Sequence, residues 1–216
     1  MGYIQFNKKI KKIVSVEKIS YYENFNEIEK KLWSLLERAV NDRNSEFRTP
    51  VFICGDKNNL DGRVVVLRKV DAQNNFIQFH SDIRSTKISM IKDNPNCSLL
   101  FYGKKEKIQL RMKINSEIHY KNEIAKESWN KTGHISRKCY LVTIGPGTKS
   151  EKPTSGLNDK FDNFDFTKEE SEQGYKNFCV IRCSIRSIEW LYLAAKGHRR
   201  AIIDLTGAKK FSWLIP

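Results

Sequence analysis

Four stretches of this 216-residue chain carry residue types that can hold an anion or move a proton. In Gly62-Arg63-Val64-Val65-Val66-Leu67-Arg68-Lys69, aliphatic residues stand between two arginines. A buried, unpaired guanidinium is too costly to keep, so both arginines must reach a rim or meet an anion. Five positions apart, they fall on opposite faces of a regular strand, and a shared ligand would need a twist, a bulge or contact at its two ends. Two surface arginines at strand ends would fit the same pattern. In Phe79-His80-Ser81-Asp82-Ile83-Arg84-Ser85-Thr86-Lys87 a strand runs into a helix start. Free backbone N–H groups and the positive end of the helix dipole, joined by Arg84, Ser85, Thr86 and Lys87, suit a phosphate. Ordinary N-capping by Asp82 or Ser85 would occupy the same residues without a ligand. From Lys107 to Ile114 the pattern alternates without a break, placing Ile108, Leu110, Met112 and Ile114 on a core face and Lys107, Gln109, Arg111 and Lys113 on the other. That second face is either a solvated side of a sheet or a donor-rich edge for a polar ligand. Near the C-terminus Trp190 offers a planar ring, and Lys196, His198 and Arg200 share one face if the segment is extended, with an anion between them or solvent around a basic turn.

These stretches need elements to hold them. Ile28, Leu32, Leu35, Leu36 and Ala39 recur at helical spacing between Glu23 and Asp42 and predict an amphipathic helix. Strand-like runs follow at Thr49–Cys54, Arg63–Val70, Phe76–Ser81, Cys97–Tyr102 and Lys107–Tyr120, separated by turn clusters such as Asp56-Lys57-Asn58-Asn59 and Asp71-Ala72-Gln73-Asn74-Asn75. Shorter helices are expected at Ser85–Lys92 and Asn122–Asn130, the first ended by Asn94-Pro95. Residues 145–174 hold Pro146, Gly147, Pro153 and Gly156 and then an acidic stretch, and read as a long loop or mobile insertion. Strands return at Cys179–Ile185, Trp190–Leu193, Ala201–Asp204 and Phe211–Leu214. Six or more antiparallel strands with a few covering helices make one mainly β (α+β) domain over residues 1–216, a small barrel or sheet.

Composition narrows the classes of function. Lys and Arg number 39 against 25 Asp and Glu, a formal net charge of +14, which points to an anionic partner: nucleic acid, a membrane surface or a phosphate-bearing small molecule. No apolar run is long enough to cross a bilayer. The N-terminal MGYIQFNKKIKKIVSV is basic and lacks the apolar core of a secretory signal, and Phe6 stands where a myristoylation motif needs Ser or Thr. The five cysteines are scattered without CxxC pairs and read as reduced thiols of a cytoplasmic protein, with no metal site expected.

In order and spacing, Arg63–Arg68, Phe79–Lys87, Asn94-Pro95 before Ser98–Tyr102, Gln109-Leu110-Arg111, and Trp190 with His198 and Arg200 resemble the pyridoxamine 5'-phosphate oxidase-like flavoproteins, from Arg48 to Tyr120 and again from Ile188 to Pro216. The resemblance implies an FMN-binding split β-barrel, a homodimer with the flavin at the subunit interface, and an oxidoreductase that passes a hydride from an amine or alcohol to flavin. By position it implies FMN contacts from Arg63, Val64, Val65, Val66, Leu67 and Arg68, from His80 and Ser81, from Thr86 and Lys87 and from Gln109, with Trp190 and Arg200 supplied by the second subunit. Lys196 and His198 take the positions where the oxidase holds its substrate, and are the candidates for substrate binding or proton handling. The oxidase grips its substrate phosphate with Tyr, Arg and Ser spaced by four; the stretch Trp129 to Arg137 lacks that pattern, so the FMN reading carries over and pyridoxamine phosphate as substrate does not. The competing reading is a non-catalytic basic barrel that binds nucleic acid or another anionic ligand, disfavoured because the basic strand lacks interleaved aromatics. Haem or a deazaflavin in a related barrel is a third.

Overall fold

The computed structural model describes residues 23–55, 59–195 and 197–216. The basic N-terminal stretch, most of the Asp56–Asn59 turn and Lys196 therefore lie outside the described residues. Helix α1 (Phe25–Asn41) starts where the Asn24 side chain accepts from the N–H groups of Asn26 and Glu27, at 2.9 and 3.2 Å. Its end is held by Arg48, whose guanidinium donates to the Ala39 carbonyl at 3.0 Å and to that of Val40. All five apolar residues of its predicted stripe are buried, and Trp33 joins them.

Nine strands form one antiparallel sheet: β1 (Val51–Gly55), β2 (Leu60–Val64), β3 (Leu67–Asp71), β4 (Phe76–Asp82), β5 (Asn96–Gly103), β6 (Ile108–His119), β7 (Phe178–Tyr192), β8 (Arg199–Asp204) and β9 (Lys210–Leu214). The main path runs β2-β1-β5-β6-β7-β4-β3, and β8 and β9 extend from β7. Helix α2 (Thr86–Asp93) sits between β4 and β5, and α3 (Glu123–Lys131) follows β6. The inward residues of the sheet, among them Phe52, Phe79, Leu110, Met112, Ile181 and Trp190, meet α1 and α2 in one core.

The expected strand Arg63–Val70 is two strands. β2 pairs with β1 and β3 with β4, so they belong to the two ends of the sheet path, joined only by Val65-Val66. The Val65 N–H leaves the ladder pattern and donates to the Pro50 carbonyl at 3.0 Å. β7 ends at Tyr192 and β8 begins at Arg199, so His198 lies outside the strand that carries Arg200 and their even spacing does not place them on one strand face.

Part of the region read as a loop folds into short helices, α5 (Asp159–Asp162) and α6 (Lys168–Ser171), after α4 (His134–Arg137). Asn158 and Thr167 cap them, and Phe161 and Phe166 bury their rings with Leu141. Arg137, 1 % exposed, ties this segment to α3. Its guanidinium lies 4.5 Å from the Trp129 ring, donates to the Trp129 carbonyl at 2.9 Å and pairs with Glu172. The Trp129 Nε1 donates to the other oxygen of Glu172 at 2.6 Å. Arg137→Ala removes both the stacking stem and the partner of Glu172, and should lower unfolding free energy by about 2 kcal/mol while speeding protease cleavage within residues 141–177. Unchanged denaturant midpoints and cleavage rates would show that the segment is anchored elsewhere.

Candidate functional site

Val65-Val66 resolves the geometry of the two arginines. Since the chain leaves one sheet edge and enters the other between them, Arg63 and Arg68 both line one cavity of about 340 Å³ despite their odd spacing. Val64, Val65 and Val66 line it too, while Leu67 turns into the core. From β4 and the start of α2 come His80, Ser81, Asp82, Ser85 and Lys87, and Cys139, Tyr140 and Pro146 complete the wall.

The donors in this cavity are held in place by one another. Lys87 Nζ donates to Ser81 Oγ at 2.9 Å and to Ser85 Oγ at 2.7 Å. Burial, and then the Arg63 charge, push the Lys87 ammonium below its ordinary pKa. Asp82, the one carboxylate in the wall, is taken by Arg84, whose backbone N–H donates to Oδ1 at 2.8 Å and whose Nη2 pairs with Oδ2 at 2.7 Å. Arg84 also donates to the carbonyls of Val142 and Thr143, at 3.0 and 3.2 Å. Neither Asp82 nor Ser85 caps α2, which leaves the first turn of an eight-residue helix without a side-chain cap. Arg63 pairs with Asp61, yet its Nε and the Nε of Arg68 are buried without a hydrogen-bond partner. Orphaned donors, an uncapped helix start and two hydroxyls beside a desolvated ammonium fit a phosphate group, the anchoring end of FMN.

A second cavity, of about 520 Å³, shares Arg68 and His80 with the first. Its floor is Lys69, Gln78 and Arg182, and its roof includes Ser128, Thr132 and Ser136. Arg182 lies 4.5 Å from the Phe76 ring centroid and Lys69 5.3 Å. With the Gln78 amide oxygen turned towards Arg182, it accepts from Nε and Nη2 at 2.9 and 3.1 Å. Among the described residues Arg68, Lys69, Lys87 and Arg182 make no ion pair with a carboxylate. The sequence reading did not find this cavity. Its trace was the spacing of four among the hydroxyls Ser128, Thr132 and Ser136, one position before Trp129 and Arg137, which are packed inside.

Thr86, Gln109, Trp190, His198 and Arg200 stand apart from both cavities, and Lys196 lies outside the described residues. Thr86 opens α2 on its exposed side. Gln109 lies on the outward face of β6, in a row with Tyr102, Leu191 and Arg200 across β5, β7 and β8. Glu189 holds Arg200, with Nε 3.1 Å and Nη2 3.0 Å from its two oxygens, and also pairs with Arg111. Trp190 points the opposite way into the core, 1 % exposed and stacked on Tyr192, so in this chain its ring offers no open face. His198 Nδ1 accepts from the Ala194 N–H at 3.1 Å and holds the β7–β8 turn.

Residues 30–119 match the family model described as "Pyridoxamine 5'-phosphate oxidase, FMN-binding domain". A search of curated proteins gave no match. Among solved structures, a pyridoxamine 5'-phosphate oxidase-related, FMN binding protein from Nostoc punctiforme PCC 73102 superposes with a TM-score of 0.69 at 16 % identity, over 87 % of this chain and 97 % of that one. PhzG from Burkholderia lata 383, solved in complex with tetrahydrophenazine-1-carboxylic acid, superposes with a TM-score of 0.68 at 14 % identity, over 94 % of this chain and 99 % of that one. The nine-stranded sheet is thus the split barrel of those neighbours, and residues 30–119 are similar to the FMN-binding domain of the pyridoxamine 5'-phosphate oxidases.

Proposed function

We propose that this chain binds FMN and works as an oxidoreductase on a small anionic substrate. The observation that carries the reading is the first cavity, where orphaned guanidinium nitrogens, the hydroxyl-bound Lys87 and an uncapped helix start converge with no free carboxylate. When bound, FMN would supply a two-electron acceptor for a hydride from an amine or alcohol carbon. Arg63, Ser81, Ser85 and Lys87 would hold its phosphate, and the Val64–Val66 backbone would flank it. The second cavity, opening beside it, would seat an acidic group of the substrate, phosphate or carboxylate, on Arg68 and Arg182. A carboxylate is the acid that the PhzG structure carries, which supports this choice of class.

The outward row of Gln109 and Arg200 does not reach the first cavity within one chain, and this favours a homodimer in which each flavin site draws on both copies. The same sheet face bears Val64 at 65 % and Tyr102 at 49 % exposure, with Val51, Ile53 and Leu100 partly covered beside them, an apolar patch suited to a second copy.

The purified protein should be yellow, or become so on addition of FMN; a protein that stays colourless and quenches no flavin fluorescence rules the cofactor out. Lys87→Met should weaken FMN at least tenfold and leave riboflavin, which lacks the phosphate, nearly unchanged; equal losses for both would refute the phosphate assignment. Tyr102→Glu should halve the mass seen by light scattering and cost FMN affinity together. A stable dimer with that substitution would place the interface elsewhere.

A further inference from the structure

Among the described residues His80 and Arg68 line both cavities, and of the two only the imidazole titrates near neutral pH in its ordinary state. The His80 ring meets Phe178 edge-on, with centroids 4.7 Å apart, and makes no hydrogen bond to any described residue. The residue is partly buried and lines the wall that the two cavities share with Arg68.

The charges around this imidazole are one-sided. β3 brings Arg68, β2 brings Arg63, α2 brings Lys87 and β7 brings Arg182. The acids that line the cavities are already used, Asp82 on β4 by Arg84 and Glu127 on α3 by Lys131 at 2.6 Å, and Asp61 on β2 pairs with Arg63. Burial holds the Tyr140 phenol and the Cys139 thiol in their neutral forms, well above neutral pH. Burial, followed by the Arg68 charge, lowers the His80 pKa to about 3, so the imidazole is neutral while the cavities hold no anion. An anion among these cations offsets their field at the ring and favours its protonated form.

We propose that His80 takes up a proton when an anion fills the Arg63–Lys87 cavity, and that the resulting imidazolium donates a hydrogen bond into the adjoining one, so that occupancy of the first sets the charge of the second. The proposal rests on reading the first cavity as an anion site. The coupling is reciprocal: the anion-bound state holds more protons, so anion affinity rises as pH falls through the bound-state pKa of His80, and an acidic ligand in the second cavity tightens the first. A neutral residue of similar size at this position would bind the same anion without the pH dependence.

The test is the titration of the four histidine rings by NMR in the full-length flavin-free protein, alone, with sulfate, and with FMN, His80 being assigned by its loss in His80→Asn. Should that variant not fold, the nuclear Overhauser contact to Phe178 makes the assignment. Sulfate is a dianion across the range, so any proton bound belongs to the protein. The expected result is a His80 midpoint well below those of exposed histidines in the free protein, raised by at least one unit, a gain of tenfold or more in proton affinity, by sulfate or FMN. A midpoint unmoved by a saturating anion, or one already near 6.5 in the free protein, overturns the proposal. A shift with sulfate in a protein that binds no FMN keeps the proposal and refutes the cofactor. Binding of neither anion overturns both.

Discussion

Cations gathered in a partly buried space repel one another, and the arrangement around Arg63, Arg68, Lys87 and Arg182 answers that repulsion only in part. Asp61 answers Arg63 at the rim, hydroxyls answer Lys87, and an aromatic face and an amide answer Arg182. Arg68 has none of these, and its Nε is sealed without a partner. The acids that would complete the balance are spent on other cations. Such a deficit of negative charge at the start of a helix leaves donors and positive charge that an anion would satisfy.

Topology makes the gathering feasible. The path of the sheet begins at β2 and ends at β3, so residues consecutive in sequence arrive from its two ends, and Val65-Val66 is the seam. β7 ties the rest together. Its first half pairs with β4, where Cys179 Sγ donates to the Ser81 carbonyl at 3.3 Å beneath the cavity. Its second half pairs with β8 and carries Glu189 to Arg200 and Arg111. Both halves pair with β6 along a register that shifts at Lys113/Ile114. A single 15-residue strand therefore spans from the cavities to the outward row of polar residues.

What could be read from the sequence followed from period and spacing. The stripe of α1 and the alternation of β6 were plain because each repeats its signal over several turns or pleats, and the core faces are those predicted. The residues of the first cavity were legible singly, as types, and their order supplied the resemblance. Their convergence was not legible, because four aliphatics in a row give no sign of where a strand leaves one ladder for another. Trp190 illustrates the converse: an aromatic in a strand is as readily core as ligand platform, and its parity with Leu110 and Ala201 puts it inside. The second cavity escaped because its walls come from β3, β4, β7, α1, α3 and the turn after it, a contact set with no local signature.

The net charge of +14 and the charge of the cavities are separate matters. Half of the excess falls on residues 101–150, where Lys104, Lys105, Lys107, Lys113, Lys121 and Lys126 stand exposed. Ions at physiological strength screen such side chains within about 8 Å, so they attract anions of any kind weakly and without geometry. Apart from Lys131 of α3, which pairs with Glu127, the cations that line the cavities come from β2, β3, α2 and β7 instead and are few, and partly buried charges at short range are screened less than exposed ones. A concave space of about 340 Å³ has room for a phosphate group and none for a duplex, so an anion held there would meet the few donors of its wall and not the surface that dominates the count.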